Sequence, residues 1–159
     1  MERGKADASF STSRKNFREP YVYYPKEDLW VSEYVFFVHK DNKQPVFRGY
    51  EDAQDKLVGI IQGNSYAPNF WDANLKKEIH VDMETNFKLL AKKRIDLFPI
   101  DKKMGLYTIK RLKLQDKIDC YDYIIFSKGY PMAFSKQSTY PDVKGVMAAF
   151  ERELVRFKQ

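Results

Sequence analysis

One cysteine, two histidines and no long apolar run deprive this 159-residue chain of most covalent, metal-based and membrane-spanning chemistry. With Cys120 alone, no intrachain disulfide can form. Asp119 and Asp122 oppose the positive surroundings that a reactive thiolate needs, so a buried, inert thiol is expected. His39 and His80 stand at no metal-ligand spacing from Cys120 or from acidic residues. Nothing reads as a transmembrane segment, and the charged N-terminus shows no signal peptide. The nucleophile elbow GxSxG, the zinc motif HExxH, a Ser-His-Asp arrangement and the phosphate loop GxxxxGK[ST] are all missing. The scattered acids form no defensible acid–base pair. The expectation is therefore a protein that is not an enzyme and carries no cofactor.

Aromatic residues are abundant, at 12 Phe, 11 Tyr and 2 Trp, and the 43% hydrophobic content is ample for a packed core. The length fits one domain or two small lobes. The net charge is +6, but Lys and Arg are interleaved with Asp and Glu, and no RNA-recognition, zinc-finger or KH signature appears. No nucleic-acid partner is expected. The clusters Lys76-Lys77 and Lys92-Lys93-Arg94 suit exposed helix ends, where cations favour the dipole.

Residues 6–11 read as a strand, and residues 12–29 as a polar, proline-punctuated stretch with a tyrosine cluster. β-branched and aromatic residues make Trp30–His39 a strong strand. Residues 49–56 predict one or two helical turns. Leu57–Ile61 is a short apolar run of the kind found in buried parallel strands. A helix is expected from Ser65 to about Leu75, then a strand over 78–81. Met83, Phe87, Leu90 and Ala91 fall at helical spacing, with Asp82 or Thr85 as cap. A strand over 95–100 and a helix over 102–112 follow. Residues 121–126 and 132–134 read as strands. The last helix opens at Pro141-Asp142 and lines up Val143, Val146, Met147, Phe150, Leu154 and Phe157 on one face. The alternation over 57–112 predicts an α/β sheet with right-handed crossovers.

Two stretches repeat one pattern: Lys5-Ala6-Asp7-Ala8 and Arg94-Ile95-Asp96-Leu97 each read as a helix end running into a strand. Such doubling suggests two related lobes holding a ligand. Three groups of residues have the chemistry to hold one. The junction Gly63-Asn64-Ser65 offers N–H groups to an anion, or serves as an ordinary cap. Asp101, at the carboxyl end of a strand, suits an ammonium or caps the next helix. Arg18 can clamp a carboxylate in bidentate fashion, with Arg14 as its rival, or be a solvated loop residue.

In order and spacing these segments resemble the extracellular solute-binding proteins of amino-acid ABC transporters, of type II periplasmic-binding-protein fold. The family's GxxDA strand, hydroxyl-rich loop and following arginine resemble Gly4 to Asp7, Ser11 to Ser13 and Arg18, before Tyr23-Tyr24-Pro25. Its glycine-bounded apolar strand ending in Gly-Thr resembles residues 57–64, with Asn64 in place of the threonine and Ser65 as substitute hydroxyl. Its GRxDAxxxD segment resembles residues 93–101, ending at Asp101.

The resemblance implies one complete α/β lobe plus the second half of the other. Residues 1–48 would be partial lobe 1 with the first hinge strand, residues 49–118 lobe 2, and residues 119–159 the second hinge strand and the helix returning to lobe 1. It further implies that Arg18 and Ser13 hold a ligand α-carboxylate, that Gly63, Asn64 and Ser65 assist, and that Asp101 holds the α-ammonium. The expected role is amino-acid binding between two lobes for an ABC permease in the periplasm or outside the cell. A sensor module of the same fold is the alternative. The resemblance also implies an N-terminal truncation, which predicts impaired binding and self-association through incomplete lobe 1.

Overall fold

The computed structural model describes residues 1–10 and 12–159, so the Ser11 end of the first predicted strand and of the hydroxyl loop lies outside the described residues. The chain divides into two compact units, Met1–Ser32 with Lys128–Gln159 (unit 1) and Glu33–Ser127 (unit 2). In chain order the elements are β1 (Ala8–Ser9), β2 (Val22–Tyr23), β3 (Trp30–His39), β4 (Leu57–Ile61), α1 (Pro68–Asp72), β5 (Lys76–His80), α2 (Met83–Ala91), β6 (Leu97–Asp101), α3 (Lys102–Arg111), β7 (Ile118–Cys120), β8 (Phe126–Tyr130), β9 (Ala133–Ser135) and α4 (Val143–Lys158). Short 3-10 turns occupy Asn16–Arg18, Lys40–Asn42 and Glu51–Ala53.

Unit 2 is a mixed sheet in the order β5-β4-β6-β3-β7, with β8 also paired to β3. β4 runs parallel to β5 and β6, whereas β3 is antiparallel to β6 and β7. The parallel pairs need crossovers, which α1 and α2 supply. Successive side chains of a strand point to opposite faces. Phe37 accordingly meets Phe87 of α2 edge-on at 5.2 Å, while Phe36 meets Phe47 at 5.6 Å and Tyr50 at 6.4 Å on the other side. Both phenylalanines are fully buried. Cys120, on edge strand β7 opposite Phe37, is buried, and that burial pushes its thiol pKa up.

Two glycines allow this packing. A Cβ on Gly105 of α3 would stand 2.2 Å from the ring of Phe37, and one on Gly59 of β4 would stand 2.2 Å from Asn86 Oδ1. Asp82, Asp101 and Asp142 cap α2, α3 and α4 by accepting from the N–H groups of Thr85, Met104 and Gly145. The far ends of α2 and α3 close alike. Arg94 N–H donates to Leu89 O and Leu114 N–H to Ile109 O, which places Lys93 and Lys113 in the left-handed region at φ 54°.

Unit 1 is thinner. β9 pairs with both β1 and β2 in a sheet of two- and three-residue strands. Its buried apolar side chains include Val22, Ala133, Phe134 and Leu154, while Phe10, Phe17, Val146 and Phe157 are exposed. The doubled aspartate motif performs the same work in both units. Asp96 Oδ2 accepts from Leu57 N–H and Asp96 N–H donates to Leu57 O, fastening β4 beside β6. Asp7 Oδ1 accepts from the Ser138 hydroxyl and Asp7 O from Ser135 N–H, fastening β1 beside β9.

Three predicted elements are corrected. The helix after Ser65 shrinks to Pro68–Asp72, because Asn64 and Tyr66 fold the preceding residues into hydrogen-bonded turns. Residues 121–126 form no continuous strand; β7 ends at Cys120 and β8 begins at Phe126. The apolar stripe of α4 buries only Leu154 fully.

Gly105→Ala is expected to lose about 1–3 kcal/mol through overpacking against Phe37, despite alanine's helix propensity. Its thermal midpoint should fall by about 2–4 °C per kcal/mol; an unchanged midpoint would contradict the close approach. Lys113→Gly relieves the left-handed backbone and should gain roughly 0.5–1 kcal/mol. Chemical denaturation of the two variants side by side reads opposite signs.

Candidate functional site

Unit 1 places Ser13 and Arg18 together. Arg18 ends the Asn16–Arg18 turn, and its Nη1 donates to the Ser13 carbonyl at 2.9 Å, where the Tyr24 hydroxyl also donates at 3.2 Å. The Arg18 guanidinium lies 5.1 Å from the ring centroid of Phe17. Its remaining N–H donors have no acceptor among the described residues. Arg14, the rival, is fully employed: it pairs with Asp28 and donates to the carbonyls of Pro25 at 2.6 Å and Lys26 at 2.9 Å. A guanidinium so committed has little left for a ligand.

Two further cations of unit 1 escaped the sequence reading. Lys15 precedes the Asn16–Arg18 turn in an extended conformation. Lys128 begins the second chain segment of unit 1, and its ammonium lies 5.3 Å from the ring centroid of Tyr130, which stacks on Trp30 at 5.1 Å. Burial first, then the positive charges of Lys15 and Arg18, hold the Lys128 ammonium below the ordinary lysine range. Arg18 is anchored on the carbonyl of Ser13, whereas the next residue, Arg14, holds Asp28, whose carboxylate packs against the α-carbon of Gly129. No local signal in the sequence joins residue 128 to residues 13–18.

In unit 2 the parallel strands β4 and β6 bring the loop after Ile61 and the end of β6 to the same carboxyl edge of the sheet. Gly63 turns there at φ 71° with open space around its α-carbon. The neighbouring N–H groups are engaged. Asn64 N–H donates to Ile61 O, Ser65 N–H to Asn64 Oδ1 at 3.0 Å, and Tyr66 N–H to Asn64 O. Helix α1 starts only at Pro68, with Ala67 as a cap that makes no side-chain bond. The expected helix N-terminus at Ser65 is therefore a closed turn. Tyr66 secures it, its phenolic oxygen accepting from Ile61 N–H at 3.0 Å, and burial pushes its pKa up against that hydrogen bond.

Asp101 occupies the end of β6 opposite Tyr34 of β3 and is buried. Its Oδ1 accepts from Met104 N–H at 2.8 Å. One carboxylate oxygen thus caps α3. A small cavity of unit 2 is elsewhere, at the opposite end of the sheet. Val38, Gln44, Phe47, Asp96, Leu97 and Tyr121 are among its lining residues, and its volume is about 50 Å³. That is room for a water or two and not for an amino acid. Among the described residues, no group of three or more His, Cys, Asp or Glu could hold a metal ion, and no helix is long and apolar enough to cross a membrane.

No protein-family model and no curated protein matches the chain. Its backbone, however, is similar to many solved structures. The GluR0 ligand-binding core in complex with L-glutamate superposes with a TM-score of 0.69 at 13% identity, covering 91% of this chain and 66% of that one. Arginine-binding protein from T. maritima in its holo form gives 0.68 at 17% identity, with coverages of 98% and 65%. The substrate-binding protein of an amino-acid ABC transporter gives 0.68 at 18%, with coverages of 99% and 68%. The chain spans about two thirds of the length of the structures that it matches. At such identities the likeness speaks for the backbone alone: the fold is α/β, of the type II periplasmic-binding-protein kind.

Proposed function

We propose that this chain is a solute-binding module for an amino acid or a similarly small zwitterion, working without catalysis and serving an ABC importer in the periplasm or outside the cell. The observation that carries the reading is the half-buried Arg18 guanidinium, anchored by one donor on Ser13 while its other donors have no acceptor among the described residues. A guanidinium in this condition suits a carboxylate. Ser13 and Arg18 would take the ligand carboxylate, with Asn64 and Ser65 assisting through their side chains and Gly63 leaving open space beside them. Asp101 would take the ammonium. The fold likeness supports the same reading, since proteins of this backbone include ones described as binding arginine and L-glutamate.

Binding by the chain alone is weak in this proposal. Unit 1 orders the Arg18 turn on a thin core, and ligand binding must bear the entropy of fixing it. Its exposed Phe10, Phe17, Val146 and Phe157 are also the surface through which the chain would self-associate.

Titration with a panel of amino acids, followed by amide NMR shifts, is expected to give a dissociation constant near millimolar, about −4 kcal/mol. Arg18→Gln should abolish the response. Asp101→Asn keeps a capping side chain but removes the charge, so it should weaken binding about tenfold with little change in thermal midpoint. Full affinity in both variants would sink the site. Sedimentation over a hundredfold concentration range should show a rising average mass that Phe157→Ser lowers; a strictly monomeric chain would remove self-association from the proposal.

A further inference from the structure

The end of the unit 2 sheet where β3 leaves and β6 and β7 enter is rich in unpaired cations. Val38 pairs with Leu97 and His39 with Ile118, so the residues after β3 meet those that precede β6 and β7. Lys40 N–H donates to Lys117 O at 2.7 Å, and the Lys93 ammonium reaches the Asp41 carboxylate at 2.7 Å. Residues 92–94 and 113–117 therefore flank residues 40–43 in one rim. Its acids are mostly engaged, Asp41 by Lys93 and Asp119 by Lys43 at 2.7 Å, which leaves Asp116. Lys40, Lys92, Arg94, Lys113 and Lys117 are all exposed, and none is held in an ion pair among the described residues.

Five unpaired cations on one rim suit a polyanion. No large apolar side chain of these three loops is exposed. A protein partner wants an apolar core to its interface, and single-stranded nucleic acid wants an aromatic platform. Helices α2 and α3 turn their C-terminal ends to the rim, whereas phosphate-by-phosphate contact favours helix N-termini. Four of the five cations are lysines, point charges without the fork that grips a single phosphate. This pattern fits diffuse attraction, of the kind that holds clusters of about four to eight basic residues at an anionic lipid surface.

We infer that this rim is a docking surface for an anionic lipid bilayer, adsorbing the chain by charge alone. Adsorption needs no bound solute, and Asp101 lies at the far end of β6 from the rim, clear of the lipid contact.

The test is cosedimentation of the full chain with vesicles of equal parts phosphatidylglycerol and phosphatidylcholine, against vesicles of phosphatidylcholine alone. The chain should bind only the first, and release as salt shortens the screening length from about 10 Å at 0.1 M to about 3 Å at 1 M. Replacing Lys40, Lys92 and Lys117 together by Gln should weaken binding roughly 100-fold, and replacing the same three by Arg should preserve it. A control of equal net charge replaces the exposed Lys5, Lys76 and Lys103 by Gln and should lose far less. Equal losses in the two Gln triples would reduce the effect to net charge and overturn the surface. No binding to the anionic vesicles would overturn it outright. Rim-dependent binding to duplex DNA, as tight as to the vesicles at the same salt, would overturn the assignment to lipid.

Discussion

Phe36 and Phe37 are neighbours in the chain and point to opposite faces of β3, so one strand has to be covered twice. That requirement organises unit 2. On one face α2 and α3 pack so closely that Gly105 must lack a side chain. On the other, a layer of rings closes over Phe36, with Phe47 stacked on Tyr121 at 4.0 Å and Tyr66 on Phe70 at 4.7 Å. Stacked and edge-on ring pairs add to the area that they bury, and here they also fix the strands whose ends carry Asp101 and the 63–65 loop.

Unit 1 solves a harder problem with less material. Its strands are too short to form a self-sufficient sheet, and much of its order comes from polar ties. Asp7 binds the 135–138 segment, Arg14 draws together Asp28 and two carbonyls, and Lys158 reaches the Asp28 carbonyl. Such ties position a loop accurately but bury little apolar surface. Arg18 itself is held locally, by the Ser13 carbonyl and by turn hydrogen bonds with Lys15 and Tyr21.

The legibility of the sequence follows from the range of the forces involved. Strand β3 was readable to the residue because seven of its ten side chains are β-branched or Trp, Tyr or Phe, and the aspartate caps were readable because capping acts over three residues. The helix expected after Ser65 failed because local turn bonds at Asn64 and the late proline at 68 outweighed its composition. In α4 the apolar stripe was real, but periodicity cannot say whether anything covers it. The resemblance preferred Arg18 to Arg14, but that Arg14 is engaged by Asp28 and two carbonyls could be seen only in the folded chain.

Cys120 has a consequence of a different kind. It is the sole thiol, it lies on the edge strand of the unit 2 sheet, and burial keeps it protonated. A thiol of that sort reacts with an alkylating reagent only during the moments when β7 peels away from β3. The chain thus carries its own clock for local opening, one whose rate reports the stability of a single strand without any introduced label.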